Sequence, residues 1–334
     1  MPFETVSIII PCYNEQATIR LLLEAIYTQT YPHAAMEVIL VDGMSTDRTR
    51  DEIAAFQREH SELPVQIVDN PERFIPSGLN RGICAAGGKI LIRLDGHAVP
   101  MADYVEHCVR DLEAGLGDNV GGVWEIHPAR SGAISRGIAT GASHPLGVGD
   151  ARYRYTDRAQ SVDTVPFFAF RRELIDRIGK FDESLLTNED YEFNVRVRQS
   201  GGTVWLDPAI RSTYYARPTL IALARQYWRY GFWKGRMLLR YPYTLRWRQA
   251  LPPVFIASLI GLAMLAIVLP EARWLFAGEI GVYSLVLLVA GAWAAIKQRD
   301  AALLFSLPLA IATMHLSWGT ALWWSLIKFI LTKK

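Results

Sequence analysis

Thr5-Val-Ser-Ile-Ile-Ile-Pro11 is a short, unbroken apolar run rich in β-branched residues, the pattern of a strand buried on both faces of a parallel sheet. Helical spacing of Ile19, Leu22, Leu23 and Ile26 predicts a helix over 14–29. Beyond it, strands are expected over 37–42, 65–69 and 89–95, alternating with helices over 47–60 and 77–86. Repeated β-α-β of this kind makes an α/β fold with a mostly parallel sheet covered by helices. Ligands of such sheets bind at the carboxyl ends of the strands. Three ends here carry Pro11-Cys12-Tyr13-Asn14-Glu15, Asp42-Gly43 and Asp95-Gly96-His97, so polar groups converge on one edge.

A dinucleotide site needs G-x-G-x-x-G after the first strand, where this chain has P-C-Y-N-E, and no G-x-x-x-x-G-K-[ST] is present. Asp95-x-His97 at a strand end suits a divalent-metal clasp, because the turn after a strand can bring both side chains to one ion. Further on, 163–170 is expected as strand and 171–178 as helix ending at Gly179, followed by a helix that Thr187 or Asn188 would cap. Glu189, Asp190 and Glu192 open that helix. Such carboxylates complement the helix dipole; one of them facing a pocket would also accept a proton from a substrate hydroxyl.

With 51% of its 334 residues among AVILMFWYC and 20% charged, the chain is neither disordered nor collagen-like. Residues 1–210 hold 20 basic and 30 acidic side chains, whereas 211–248 hold nine basic, no acidic and ten aromatic ones. An acidic body excludes bulk nucleic-acid binding, which needs a broad positive surface. Cys12, Cys84 and Cys108 have no metal or redox spacing and are expected to be packing residues in a reducing compartment. Residues 251–270 carry no charge, and a helix of that length at ~1.5 Å per residue covers a ~30 Å hydrocarbon core. Two more spans are predicted over 274–296 and 301–330, the last as a single crossing in preference to a bent hairpin that returns Lys333 and Lys334 to the cytoplasm. The basic strip and Lys297-Gln298-Arg299 should be cytoplasmic. No secretory signal is read at the N-terminus, so the body is expected at the cytoplasmic face of the inner (plasma) membrane, held by a multi-pass anchor. Trp and Tyr favour the headgroup level and Lys or Arg binds anionic lipid there. Interfacial helices are therefore expected over 211–250, with Arg236, Arg240, Arg246 and Arg248 as lipid anchors.

As a set, SIIIPCYNE (7–15), VILVDGMSTDRT (38–49), NRGICAAGGKILIRLDGHA (80–98), VDTVPFFAFRRELIDRIGKFDESLLTNEDYEFNVRVR (162–198), GGTVWLDP (201–208) and RQYWRYGFWKG (225–235) resemble the family 2 glycosyltransferases with the GT-A fold. The likeness extends to the membrane-anchored group that includes the succinoglycan-biosynthesis enzymes. The resemblance implies a GT-A domain over 1–210, interfacial helices over 211–250 and a transmembrane region over 251–334. It implies a uridine pocket walled by Pro11, Tyr13, Glu15 and Asp42, with Asp47, Arg73 and Asn80 as further lining residues. Asp95 stands where the family carries its D-x-D metal motif, with His97 in place of the last carboxylate, so Mn²⁺ or Mg²⁺ is implied. Asp190 matches the general base of the family's E-D motif, with Glu189 beside it on the donor side. Gln226, Arg229 and Tyr230 resemble its Q-x-x-R-W signature, with Tyr for Trp, which in relatives lies near the donor diphosphate and acceptor.

The activity implied is that of an inverting transferase, moving a sugar from a nucleotide donor, UDP-linked by expectation, to a polyprenyl-diphosphate-linked saccharide acceptor in exopolysaccharide or other surface-glycan synthesis. A processive polysaccharide synthase is the nearest alternative; such enzymes usually have spans on both sides of the catalytic domain, and none is read before residue 251. A membrane scaffold without turnover is disfavoured by intact Asp42, Asp95 and Asp190.

Overall fold

The computed structural model of the chain describes residues 3–332, so Lys333 and Lys334 lie outside the described residues. Strand β1 (Val6–Cys12) is buried at every position but Pro11, as an apolar run in the middle of a sheet must be. It is followed by α1 (Ile19–Tyr27), β2 (Met36–Asp42), α2 (Thr49–Glu59), β3 (Val65–Asp69), α3 (Ile75–Ala85) and β4 (Ile90–Arg93). β1 pairs in parallel with β2, Val6 opposite Met36 and Cys12 opposite Asp42, and with β4 on its other side. Alternate residues serve opposite faces. Ile8, Ile10, Val38 and Leu40 join Leu22, Leu23, Ile26, Ile53 and Phe56 of α1 and α2 in one core, while Ile9 and Val41 receive α3 at Gly82. The expected β-α-β alternation holds throughout this half.

The second half of the sheet is antiparallel. β5 (Val99–Pro100), α4 (Tyr104–Glu113), β6 (Asn119–Pro128), α5 (Ala133–Ala142), α6 (Pro145–Val148), β7 (Gln160–Ser161), β8 (Phe168–Arg171), α7 (Glu173–Ile178), α8 (Glu189–Gln199) and β9 (Val204–Ala216) complete it. The strand order is β3-β2-β1-β4-β8-β6-β9-β5, with β7 on β9. β8 lies antiparallel between β4 and β6, so the sheet is mixed rather than purely parallel.

Three local expectations are corrected. The strand expected over 163–170 occupies only Phe168–Arg171, because Phe167 adopts φ 43° and breaks the extended run. Asn188 is left-handed at φ 68° and makes no side-chain cap to α8; nor does Thr187 cap it, since its hydroxyl donates to the Leu186 carbonyl. The first six residues of the basic strip belong to β9, whose Ile210, Ser212, Tyr214 and Ala216 alternate inward with the period of a strand.

The chain forms two compact units, one of residues up to Glu125 with Tyr155–Tyr214, the other of Ile126–Arg154 with everything from Tyr215 onward. Residues 126–154 thus join the C-terminal helices, whereas the linear division at 210 left them in the first domain. The second unit holds α9 (Leu220–Arg240), α10 (Trp247–Val268), α11 (Ala272–Gln298) and α12 (Leu303–Thr332). The last three are long and apolar enough to cross a membrane, and α12 is one unbroken helix rather than a hairpin. Arg246 and Arg248 are not free lipid anchors: both bond Asp150, Arg246 at 3.2 Å, and the Arg248 side chain is buried. Arg236 lies over the Phe232 and Phe329 rings.

Candidate active site

The turn after β1 and the turn after β2 are laced together by side chains. Asn14, at φ 56°, donates its N–H to Ser45 Oγ (2.9 Å) and accepts from Thr46 N (2.9 Å). Glu15 N donates to Thr49 Oγ1 (2.8 Å), and Gln16 N to Asp47 Oδ2 (3.2 Å). Asp47 also accepts from Thr49 N (3.0 Å), fixing the start of α2. Asp42 is fully buried and accepts from Arg50 Nε (2.6 Å) and Ser45 N (3.1 Å). Its carboxylate is committed to this loop. Tyr13 is exposed beside Pro11, and Arg73 stacks its guanidinium over the Tyr13 ring at 5.6 Å. Pro11, Tyr13, Asp42, Asp47 and Arg73 therefore surround one strand-end edge. Asn80 does something else: its amide donates to Phe181 O (2.9 Å) and Glu183 (2.7 Å) and accepts from Phe181 N (2.9 Å), bracing the 181–183 loop.

The second cluster lies where β4 ends and α8 begins. Arg93 is buried, and its Nη2 bonds both Glu189 Oε1 (2.7 Å) and Asp95 Oδ1 (3.3 Å) while its plane covers the Phe168 ring. Its Nε and Nη1 have no hydrogen-bond partner among the described residues. Burial pushes the Glu189 carboxyl up to about 7, opposed by the Arg93 guanidinium. Burial also raises Asp190, Arg93 again opposing and Asp95 adding to the rise. Asp190 is only half-buried, and its Oδ1 accepts from Tyr191 N (2.7 Å). A carboxylate raised toward neutrality and still reachable is suited to take a proton from a hydroxyl. Glu192, by contrast, forms a two-pronged pair with Arg196 and has a structural task.

His97 Nδ1 lies 3.5 Å from Glu15 Oε1. Burial works to raise the Glu15 carboxyl, but bonds from His97 and Thr18 hold it below the ordinary range. The turn between Asp95 and His97 is packed so closely that a side chain at Gly96 would meet Glu15 Cγ at 3.0 Å and Cys12 Cβ at 3.3 Å. Among the described residues Glu24, Glu59 and His60 form a three-ligand group close enough for an ion. Asp95 and His97 are a donor set that fits Mg²⁺ or Mn²⁺, ions held by one or two protein ligands when water and substrate phosphates complete the shell.

Gln226, Arg229 and Tyr230 belong to the second unit, on α9, where Gln226 Nε2 donates to Tyr230 Oη (3.0 Å) and Arg229 is exposed. Sequence reading missed Arg93, which looks like any residue of an apolar strand until its burial beside three carboxylates is seen. It also missed Asn14, Ser45 and Thr49; the turn-forming residue types were the available signal.

Residues 7–179 match the family described as Glycosyl transferase family 2. The chain is 32% identical over 327 residues to the succinoglycan biosynthesis protein ExoA of Rhizobium meliloti, covering 96% of this chain and 95% of that one. It is 29% identical over 252 residues to the dolichyl N-acetyl-alpha-D-glucosaminyl phosphate 3-beta-D-2,3-diacetamido-2,3-dideoxy-beta-D-glucuronosyltransferase of Methanococcus voltae, covering 72% and 76%. In fold it is similar to a mannosyltransferase of Pyrobaculum calidifontis solved with GDP-Man and Mn²⁺ (TM-score 0.58, 22% identity, 93% of this chain and 87% of that one). With its GT-A-like mixed sheet and this near full-length likeness, the chain belongs to glycosyl transferase family 2 and is a glycosyltransferase.

Proposed function

We propose that the chain is an inverting transferase that moves one sugar from a nucleotide-sugar, UDP-linked as first choice, to a polyprenyl-diphosphate-linked saccharide at the cytoplasmic face of a membrane. The observation that carries this is the Arg93 bridge, which holds Asp95 and Glu189 together and sets Asp190 next to them. Asp190 takes the proton of the acceptor hydroxyl as it attacks the anomeric carbon from the face opposite the leaving diphosphate, so no covalent sugar intermediate is needed. Asp95 and His97 would hold a divalent cation, which would neutralise charge on the departing diphosphate. Pro11, Tyr13, Arg73 and the Asp42–Asp47 loop line the nucleoside side. A lipid-linked acceptor is supported by the dolichyl phosphate in the name of the Methanococcus relative and by the apolar C-terminal helices. The succinoglycan relative supports a role in exopolysaccharide synthesis.

The test is transfer from a panel of UDP- and GDP-sugars to lipid extract in membranes containing the full chain. Product that appears with one donor, disappears with chelator and is missing with Asp190→Asn agrees with the proposal. Undiminished product with Asp190→Asn overturns it. A polymer growing on one acceptor identifies a processive synthase instead.

A further inference from the structure

Three crossings are hard to reconcile with how the long helices touch. α10 and α11 run beside each other as a hairpin: Ser258 Oγ donates to Glu279 Oε2 (3.0 Å), and the Phe255 ring stacks on Tyr283 with centroids 4.4 Å apart. Past Ile256, no residue of α10 is buried. That outer stretch has the surface of a helix facing lipid on most sides.

α12 meets α10 only near its beginning. Trp318 Nε1 donates to Gln249 O (3.2 Å), Trp323 Nε1 to Pro253 O (2.8 Å), and a side chain at Gly319 would meet Pro252 O at 2.6 Å. Further along, Ser325 lies 2.7 Å from where a side chain on Gly235 of α9 would begin, and the Phe329 ring lies under Arg236. α9 is itself tied to the entry of α10, since Lys234 Nζ bonds Thr244 O (3.0 Å). From Trp318 to Phe329 a helix advances ~16 Å, yet the neighbours named over that distance lie within 231–256. A third span running parallel to α10 would have moved on to cover residues 257–268.

The partners of α12 also forbid immersion. α9 carries Arg225, Arg229, Lys234, Arg236 and Arg240 without an acidic residue, and it is seated on α12 at Gly231 and Gly235. A crossing α12 would draw these cations into hydrocarbon, where they are strongly disfavoured. The first half of α12 packs on one side against α11, Gly291 meeting Leu304 and Tyr283 Oη lying 3.1 Å from His315 Nδ1, and on another against the 126–154 segment: Gly137 faces Ser306, Gly141 faces Ala310, His315 Nε2 bonds Leu146 O at 2.8 Å, and Arg136 pairs with Asp300, just before α12, at 2.5 Å. On the other side, Phe305, Leu309, Leu316, Ile327 and Leu331 form an exposed apolar stripe over the whole length.

We infer that α10 and α11 alone cross the membrane and that α12 lies along the bilayer surface on the side from which α10 enters. Its apolar stripe rests in the acyl chains of that leaflet, continuous with the lipid-facing surface of the hairpin. This placement of α12 requires the α10–α11 hairpin to span the membrane, and one arm of the test checks that separately. In the full chain, expressed in a bacterial inner membrane with Cys84→Ser to remove the exposed thiol, single cysteines are placed by Glu271→Cys, Arg299→Cys and Thr332→Cys. An impermeant maleimide applied to intact spheroplasts should label Glu271→Cys only, with the other two reacting after lysis. Labelling of Thr332→Cys from outside overturns the inference; no outside labelling of Glu271→Cys overturns the hairpin beneath it. Spin labels on Leu309→Cys, Leu316→Cys and Ile327→Cys in liposomes should report equal depth, whereas a spanning α12 separates the first and last by ~27 Å.

Discussion

Replacing Asp190 with Asn removes the proposed base while changing one atom, and two readouts should move in different directions. Loss of a general base lowers turnover by ~10²- to 10⁴-fold. Stability should not fall. Burial raises the folded-state pKa of Asp190, so the folded chain loses stability as pH rises from the ordinary carboxylate value through the raised one. Above the raised value the charge is a burden that Asn relieves, and there Asp190→Asn should melt at or above the wild-type temperature. Glu189→Gln is the control on the same helix turn. Gln keeps an acceptor for Arg93 Nη2, now 2.7 Å from Glu189, so a charge-assisted bond becomes a neutral one, worth about 1 kcal/mol, or about fivefold in rate. The assay is single-turnover transfer from radiolabelled donor in detergent, with nucleotide binding and thermal melts measured on the same preparations. Asp190→Asn within tenfold of wild type, or Glu189→Gln as damaging as Asp190→Asn, would refute the assignment of the base.

Chelator should abolish transfer, and His97→Ala should raise the Mn²⁺ concentration for half-maximal activity by at least about tenfold, with His97→Asp recovering most of it; equal activity with chelator and with Mn²⁺ would remove both Asp95 and His97 from the metal. A side chain at Gly122 would run into the Ile210 carbonyl, whereas Gly115, at φ 67°, has open space around it. Thermal melts should therefore show Gly115→Ala costing only about 1–2 kcal/mol of backbone strain and Gly122→Ala costing more than that or preventing folding. Cys84 is exposed, while Cys12 and Cys108 are buried and burial pushes the Cys12 thiol up to about 12; iodoacetamide at pH 8 should label Cys84 alone by mass spectrometry, and all three thiols only after denaturation.

The N-terminal half of the sheet was legible because its strands are continuous apolar runs and its helices carry one apolar face, patterns set by local burial. β8 and β9 were less so. Phe167 breaks the first through a backbone conformation that no residue type announces, and β9 hides its alternation under Arg211, Tyr214 and Tyr215, which also read as a basic aromatic helix. Among the candidate site residues, Asp95, Glu189 and Asp190 stand out in the sequence because they sit at element ends. Arg93 does not, since a buried cation within a strand is defined by the carboxylates that come to it from 96 residues away. Arg248 shows the same limit from the other side: its charge suggested lipid, but Asp150 had claimed it.

The covering of α12 by the 126–154 segment also sets an order of events during synthesis. Gly137 and Gly141 of α5 are shaped for Ser306 and Ala310, residues made about 170 positions later. At ~5–20 residues per second the ribosome needs roughly 10–30 s to deliver them. Over that interval α5 lacks its α12 partner, and the hairpin of α10 and α11 is made before the interval ends. The second unit therefore closes only after α10 and α11 have been made, with its last helix as the piece that locks earlier ones in place. Such long-range closure is slow by nature, and a chain cut before Leu303 would leave α5 and α9 as bare glycine-lined surfaces for quality-control proteases to find.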